Sequence, residues 1–65
     1  MTQVIPTDVY DKDGNLTSIE FHDLSGEFQV QAQWDPRDEQ TSKNREEFRT
    51  WAYRMAKQMG YNLEL

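Results

Sequence analysis

Apolar and polar residues alternate without interruption through Glu27-Phe28-Gln29-Val30-Gln31-Ala32-Gln33-Trp34. A period of two is that of a strand with one buried face. The pattern predicts a strand over 27–34, with Phe28, Val30, Ala32 and Trp34 turned to a core and Glu27, Gln29, Gln31 and Gln33 turned away. Farther along, Phe48, Trp51, Ala52, Met55 and Met59 recur at spacings of three and four, the stripe of an amphipathic helix. This predicts a helix over 44–59. Asn44 would cap its start and Glu47 would sit in the first turn. Gly60 supplies a left-handed stop, Tyr61 can fold back onto the last turn, and Lys57 suits the negative end of the helix dipole. Tyr53 falls off this stripe, beside Arg49 and Arg54.

Upstream, Asp11-Lys12-Asp13-Gly14-Asn15 reads as a hairpin turn, because glycine and Asn/Asp tolerate positive φ. It joins predicted strands over 3–10 and 16–22. In the second of these, Ile19 and Phe21 share a face with Thr17, while Ser18, Glu20 and His22 share the other. Pro6 removes a ladder donor and makes the first strand an edge. Asp23-Leu24-Ser25-Gly26 forms the second turn. The segment 35–43 has no apolar residue and reads as a loop or short turn. The tail 61–65 alternates and is expected to pack on the sheet or the helix end. The fold class is therefore α+β: a three-stranded antiparallel meander followed by one C-terminal helix packed on the sheet, as one domain spanning 1–65. The expected core is Ile19, Phe21, Phe28, Val30, Ala32, Phe48, Trp51, Ala52, Met55 and Met59, and truncating Trp51 within it would cost about 3–5 kcal/mol.

Composition narrows the function classes. A chain of 65 residues buries only about 60% of the surface its unfolded form exposes. It has no cysteine and a single histidine, His22, which removes disulfides, thiol nucleophiles and multi-histidine metal sites. Eight aromatic residues argue against disorder. The net charge of −5 is uneven: residues 1–36 carry seven acids and one base, and residues 37–65 carry five acids and six bases. An acidic balance disfavours general attraction to nucleic acid or anionic membrane and leaves open a basic protein partner. No apolar run approaches the roughly 20 residues of a membrane span, and the N-terminus lacks the basic-then-apolar order of a secretory signal. A cytoplasmic protein is expected, and the size and acidity suit a complete small reading frame of phage or mobile-element origin.

Candidate chemistry is sparse. Asp11-Lys12-Asp13-Gly14-Asn15 resembles the opening of a calcium loop, but the glycine and glutamate positions of that loop fall on Leu16 and His22. His22 and Asp23 are neighbours on a strand and point to opposite faces. The three glycines stand alone, so no phosphate loop is present. The layout resembles that of plant AP2-type and integrase arm-binding domains, which read DNA with the sheet face. Here that face lacks the Arg and Lys that phosphate contact requires, and specific nucleic-acid binding is not expected. The reading is a non-enzymatic interaction protein without catalytic residues, metal or cofactor, which binds and modulates or inhibits a host protein. Two surfaces compete for the partner. The favoured one is acidic, with Asp8, Glu20, Asp23 and Glu27. The alternative lies on the helix, with Arg49, Tyr53, Arg54 and Lys57. A nucleic-acid-binding module using Lys43, Arg45, Arg49, Arg54 and Lys57, and a self-associating structural subunit, are the competing functions.

Overall fold

A computed structural model describes residues 2–64. The elements follow the order β1 (Gln3–Tyr10), β2 (Leu16–Asp23), β3 (Phe28–Gln33), α1 (Ser42–Gln58) and β4 (Asn62–Leu63). The first three strands form the predicted antiparallel meander, and α1 packs on it. The tail adds a short fourth strand, pairing parallel to β1 at Gln3↔Asn62 and Val4↔Leu63, so that the sheet order is β3-β2-β1-β4. Tyr61 packs against the core; Leu65, at the end of the expected tail, lies outside the described residues.

Pro6 fits this arrangement without breaking the sheet. The carbonyls of Thr2 and Val4 accept from Asn62 and Glu64 on the β4 side of β1. Main-chain groups alternate sides along a strand, so the nitrogen of Pro6 faces that same side, beyond the reach of the two-residue β4. The ladder to β2 never needs the missing donor.

The two hairpin loops are the same device. In each, an aspartate opens the turn and a glycine with positive φ closes it: Gly14 at 83° and Gly26 at 91°. Asp11 Oδ1 accepts from the N–H groups of Asp13 and Asn15, and Asp23 Oδ1 accepts from those of Ser25 and Glu27. The main chain repeats the pattern, with Gly14 donating to Asp11 and Gly26 donating to Asp23. Such three-residue loops place a glycine in the left-handed region because a Cβ would be strained there.

Two register shifts reset which side chains face the core. Between Val9↔Ser18 and Tyr10↔Leu16, β2 has Thr17 as an extra residue. This turns Leu16 onto the helix side, where it is 1% exposed. Gln40 then holds the Leu16 main chain with both ends of its amide: Leu16 N–H donates to Oε1 at 3.0 Å, and Nε2 donates to the Leu16 carbonyl at 2.9 Å. Between Phe21↔Val30 and His22↔Phe28, β3 has Gln29 as its extra residue. A one-residue slip flips a side chain to the other face. Phe28, expected in the core, therefore stands beside His22 on the opposite face and is 49% exposed; Val30, before the shift, still packs against the core.

The helix begins earlier than its pattern suggests. Thr41 is the cap, its Oγ1 accepting from Asn44 N–H at 3.0 Å, while Asn44 lies inside the helix and donates from its side chain to the Glu39 carbonyl. The C-terminus ends as expected. Gly60, φ 94°, donates to Lys57, and Tyr61 donates to Ala56, which is the Schellman pattern.

The core is Val4, Ile19, Phe21, Ala32, Ala52 and Ala56, with Val30, Phe48, Tyr53, Met55, Tyr61 and Leu63 packed around it. The helix thus presents its two alanines to the sheet. Small residues let the helix approach closely, and the large side chains then flank the contact. Trp51 falls on the outer flank and is 50% exposed, and Met59, at the cap, is 55% exposed; neither joins the core. Tyr53, on the other flank, is drawn in and meets Phe21 edge-to-face with ring centroids 6.2 Å apart.

Candidate functional site

The face of the sheet away from α1 is open. Paired residues share a face, so Ile5, His22 and Phe28 come together there, with Thr7, Glu20 and Gln31 alongside. Ile5 is 43% exposed. His22 sits between two acceptors: its Nε2 is 2.9 Å from Glu20 Oε1, and its Nδ1 is 3.2 Å from the Gly26 carbonyl. Only the doubly protonated ring donates to both. The bond to Glu20, then the one to Gly26, raises the His22 pKa above its usual value. Phe28 packs edge-on against the imidazole, with centroids 5.8 Å apart. Glu20 and His22 meet because residues two apart on a strand share a side, the relation legible in the sequence. Asp23, one residue on, points elsewhere.

The four acidic residues of the favoured surface are not gathered in one place. Glu20 lies on the open face, and Glu27 is exposed in the loop at its end. Asp23 spends both carboxylate oxygens on its own hairpin, accepting from Ser25, Glu27 and Gln29. The side-chain bond from Ser25, followed by the main-chain bond from Glu27, lowers its pKa. Asp8 pairs with Ile19, on the helix side of the sheet. There Arg49 donates to its carboxylate at 2.7 Å, and that bond raises the arginine pKa further. Asp8 and Arg49, placed on rival surfaces by the sequence, are thus partners across the sheet–helix interface. Of the remaining helix residues, Arg54 and Lys57 are exposed and Tyr53 is half-buried against Phe21.

A feature that the periodicity hid lies at the far end of β3. Trp34 meets Phe48 edge-on at 5.1 Å, and Phe48 stacks on Trp51 at 6.1 Å. The three rings run from the strand end to the helix surface. Trp34 is held by a bond from its indole N–H to the Asp38 carbonyl. Beside the outer rings is a cleft of about 370 Å³ bounded by Gln33, Asp35, Asp38, Asn44, Glu47, Phe48 and Trp51. The pair Ala52 and Ala56, one turn apart, was the sequence signal that the helix contact would centre on small residues and leave Trp51 outside.

Among the described residues no group of three or more His, Asp or Glu side chains is placed to hold a metal ion, and no helix is long and apolar enough to cross a membrane. Compared with known proteins, the chain matches no family model, no curated protein and no solved structure.

Proposed function

We propose that the protein is a small non-enzymatic binding module that docks a partner protein of basic surface on the open face of its sheet. Its role would be that of a phage or mobile-element accessory protein, modulating or inhibiting a host protein in the cytoplasm. The observation that carries this reading is that face itself, where half-exposed Ile5 and Phe28 flank the Glu20–His22 pair. Apolar anchors beside a few polar groups are what protein interfaces use. A lone apolar side chain on a surface is ordinary; two on one uncovered face, one of them an aromatic ring turned outward by a bulge, form a patch. The net charge of −5 attracts a basic partner to the molecule as a whole.

The reading is tested by capture from bacterial lysate on the immobilised protein, with Phe28→Glu and the double variant Glu20→Lys/Glu27→Lys as comparators. A partner retained by the parent and lost by both variants, whose circular dichroism matches the parent, supports it. Equal retention by all three overturns it. Sub-micromolar, sequence-selective binding to duplex DNA in a gel shift would overturn it in favour of a nucleic-acid-binding module.

A further inference from the structure

β3 is the last strand of the sheet on its side. Trp34 N–H donates to the Thr17 carbonyl of β2. By alternation the main-chain groups of Ala32 also face β2, and those of Gln31 and Gln33 face outward, where no strand of the described residues lies. Proteins usually guard such an edge with lysine, proline or an inward charge. The segment Phe28–Gln33 has no charged residue and no proline. The opposite side of the sheet is guarded, by β4 over Gln3 and Val4 and by Pro6 and Asp8 beyond it. One edge is therefore closed and the other open.

The open edge runs directly into the cleft at Trp51. Asp35, Asp38 and Glu47 line that cleft and no basic residue does. Asp35 is held by Arg37, whereas Asp38 and Glu47 have no side-chain hydrogen bond or ion pair to the described residues. The half-exposed Trp51 ring is fixed by stacking on Phe48 at an interplanar angle of 28°. An indole face beside free carboxylates suits a cationic side chain.

We propose that the open edge of β3 takes up an extended basic peptide as an added strand, with one lysine or arginine side chain seated against Trp51. Main-chain bonds to Gln31 and Gln33 supply the pairing, and the cleft supplies the choice of side chain. A second copy of the chain fits less well. It carries the same net charge of −5, and pairing β3 with β3 offers the cleft glutamine and apolar side chains instead of a cation. This site lies at a different surface from the open sheet face and extends the binding-module reading to a second contact.

The test is fluorescence anisotropy with a labelled Thr-Val-Lys-Val-Lys-Val-Thr peptide. The comparators are the same peptide with norleucine for lysine, and two versions with alternate backbone amides N-methylated, one for each strand edge. The lysine peptide is expected to bind saturably. Norleucine and the Trp51→Ala variant should each weaken binding by about tenfold or more. Raising sodium chloride from about 50 to about 500 mM should weaken it too. One of the two methylated peptides should lose binding and the other keep it. Absence of saturable binding, equal binding by Trp51→Ala, or equal binding by both methylated peptides overturns the proposal. So does a dimer of the protein alone, seen by sedimentation velocity, that the peptide fails to dissociate. Failure here with lysate capture intact leaves the open-face reading standing; loss of capture with peptide binding intact overturns only that reading.

Discussion

Trp51 and Phe21 show how far burial at a single position departs from residue type. Phe21 is fully buried between the sheet and α1, whereas Trp51 keeps half its surface in water. Phe21→Ala should cost about 3–5 kcal/mol and leave little folded protein. Trp51→Ala should cost about 1 kcal/mol or less, since surface truncations away from the core are mild. Urea titrations of the two variants check both figures, and equal losses would mean that Trp51 is a core residue after all. His22 sets a pH dependence. Its folded pKa is raised above 6.5 by Glu20 and Gly26. The stability it contributes is therefore complete below about pH 6.5 and is lost as pH rises through the raised value. The urea midpoint should fall between about pH 5.5 and 8.5, and His22→Gln should remove most of that fall. A parent midpoint independent of pH in this range would show that the Glu20 bond does not stabilise the charged ring.

Elements here are bounded by short side-chain and main-chain devices more than by propensity. The apolar pattern and the turn signals located the three strands of the meander and the helix but not β4, and they put the helix cap at Asn44, where Thr41 does the capping. Both residue types cap helices, and only the loop before the helix decides which hydroxyl or amide reaches a free N–H. Thr41→Ala should therefore cost about 1 kcal/mol of stability. The hairpin glycines make a sharper case. A Cβ added to Gly14 or Gly26 would touch nothing within 4 Å, so any loss on substitution by alanine comes from backbone conformation alone. Each substitution should cost about 1–2 kcal/mol, as measured by thermal or urea unfolding, and a neutral result would mean that the loop had relaxed to another turn type. Both loops were visible as turns, the first by Asp13-Gly14 and the second by Asp23-Leu24-Ser25-Gly26, but their identity of build, one aspartate tying two N–H groups, came from the hydrogen bonds.

Across the whole molecule, charge is arranged differently from its order along the chain. The acidic first part and the weakly basic second part fold against each other, and Asp8–Arg49 joins them. Both partners are partly buried, so breaking the pair by Arg49→Met should cost about 0.5–1 kcal/mol, somewhat above an exposed pair at the low end of that range. A double-mutant cycle with Asp8→Asn isolates the coupling, and a coupling of zero would make the contact incidental. The carboxylates of Asp11, Asp23 and Asp35 all have lowered pKa values, caused first by the bonds from Asn15 N–H, the Ser25 hydroxyl and the Arg37 guanidinium, respectively. Their contribution to stability is present above the ordinary value of 3.8 and is lost as pH falls through the lowered values. Combined with His22, this places the most stable range between roughly pH 4 and 6.5, which an unfolding series against pH would locate.

Periodicity carried the architecture because it reports a local fact: a strand or helix with one buried face repeats its apolar residues at the period of its own backbone. The third strand and the helix followed from that alone, and the turn and stop chemistry of Gly14, Gly26 and Gly60 completed the meander and ended the helix. Position within the core did not, because two extra residues, Thr17 and Gln29, reset the faces of Leu16 and Phe28, and a bulge leaves no mark in an alternating pattern. Nor did apolar spacing alone say which part of a broad helix stripe meets the sheet; that depended on residue size, and close approach favoured the small pair Ala52 and Ala56 and left Trp51 outside. The same holds for the surfaces. That Glu20 and His22 share a face is a matter of spacing. That Asp8 meets Arg49, that Gln40 clasps Leu16, and that Trp51 stands beside the open edge of β3 are contacts between distant parts of the chain, decided by packing alone.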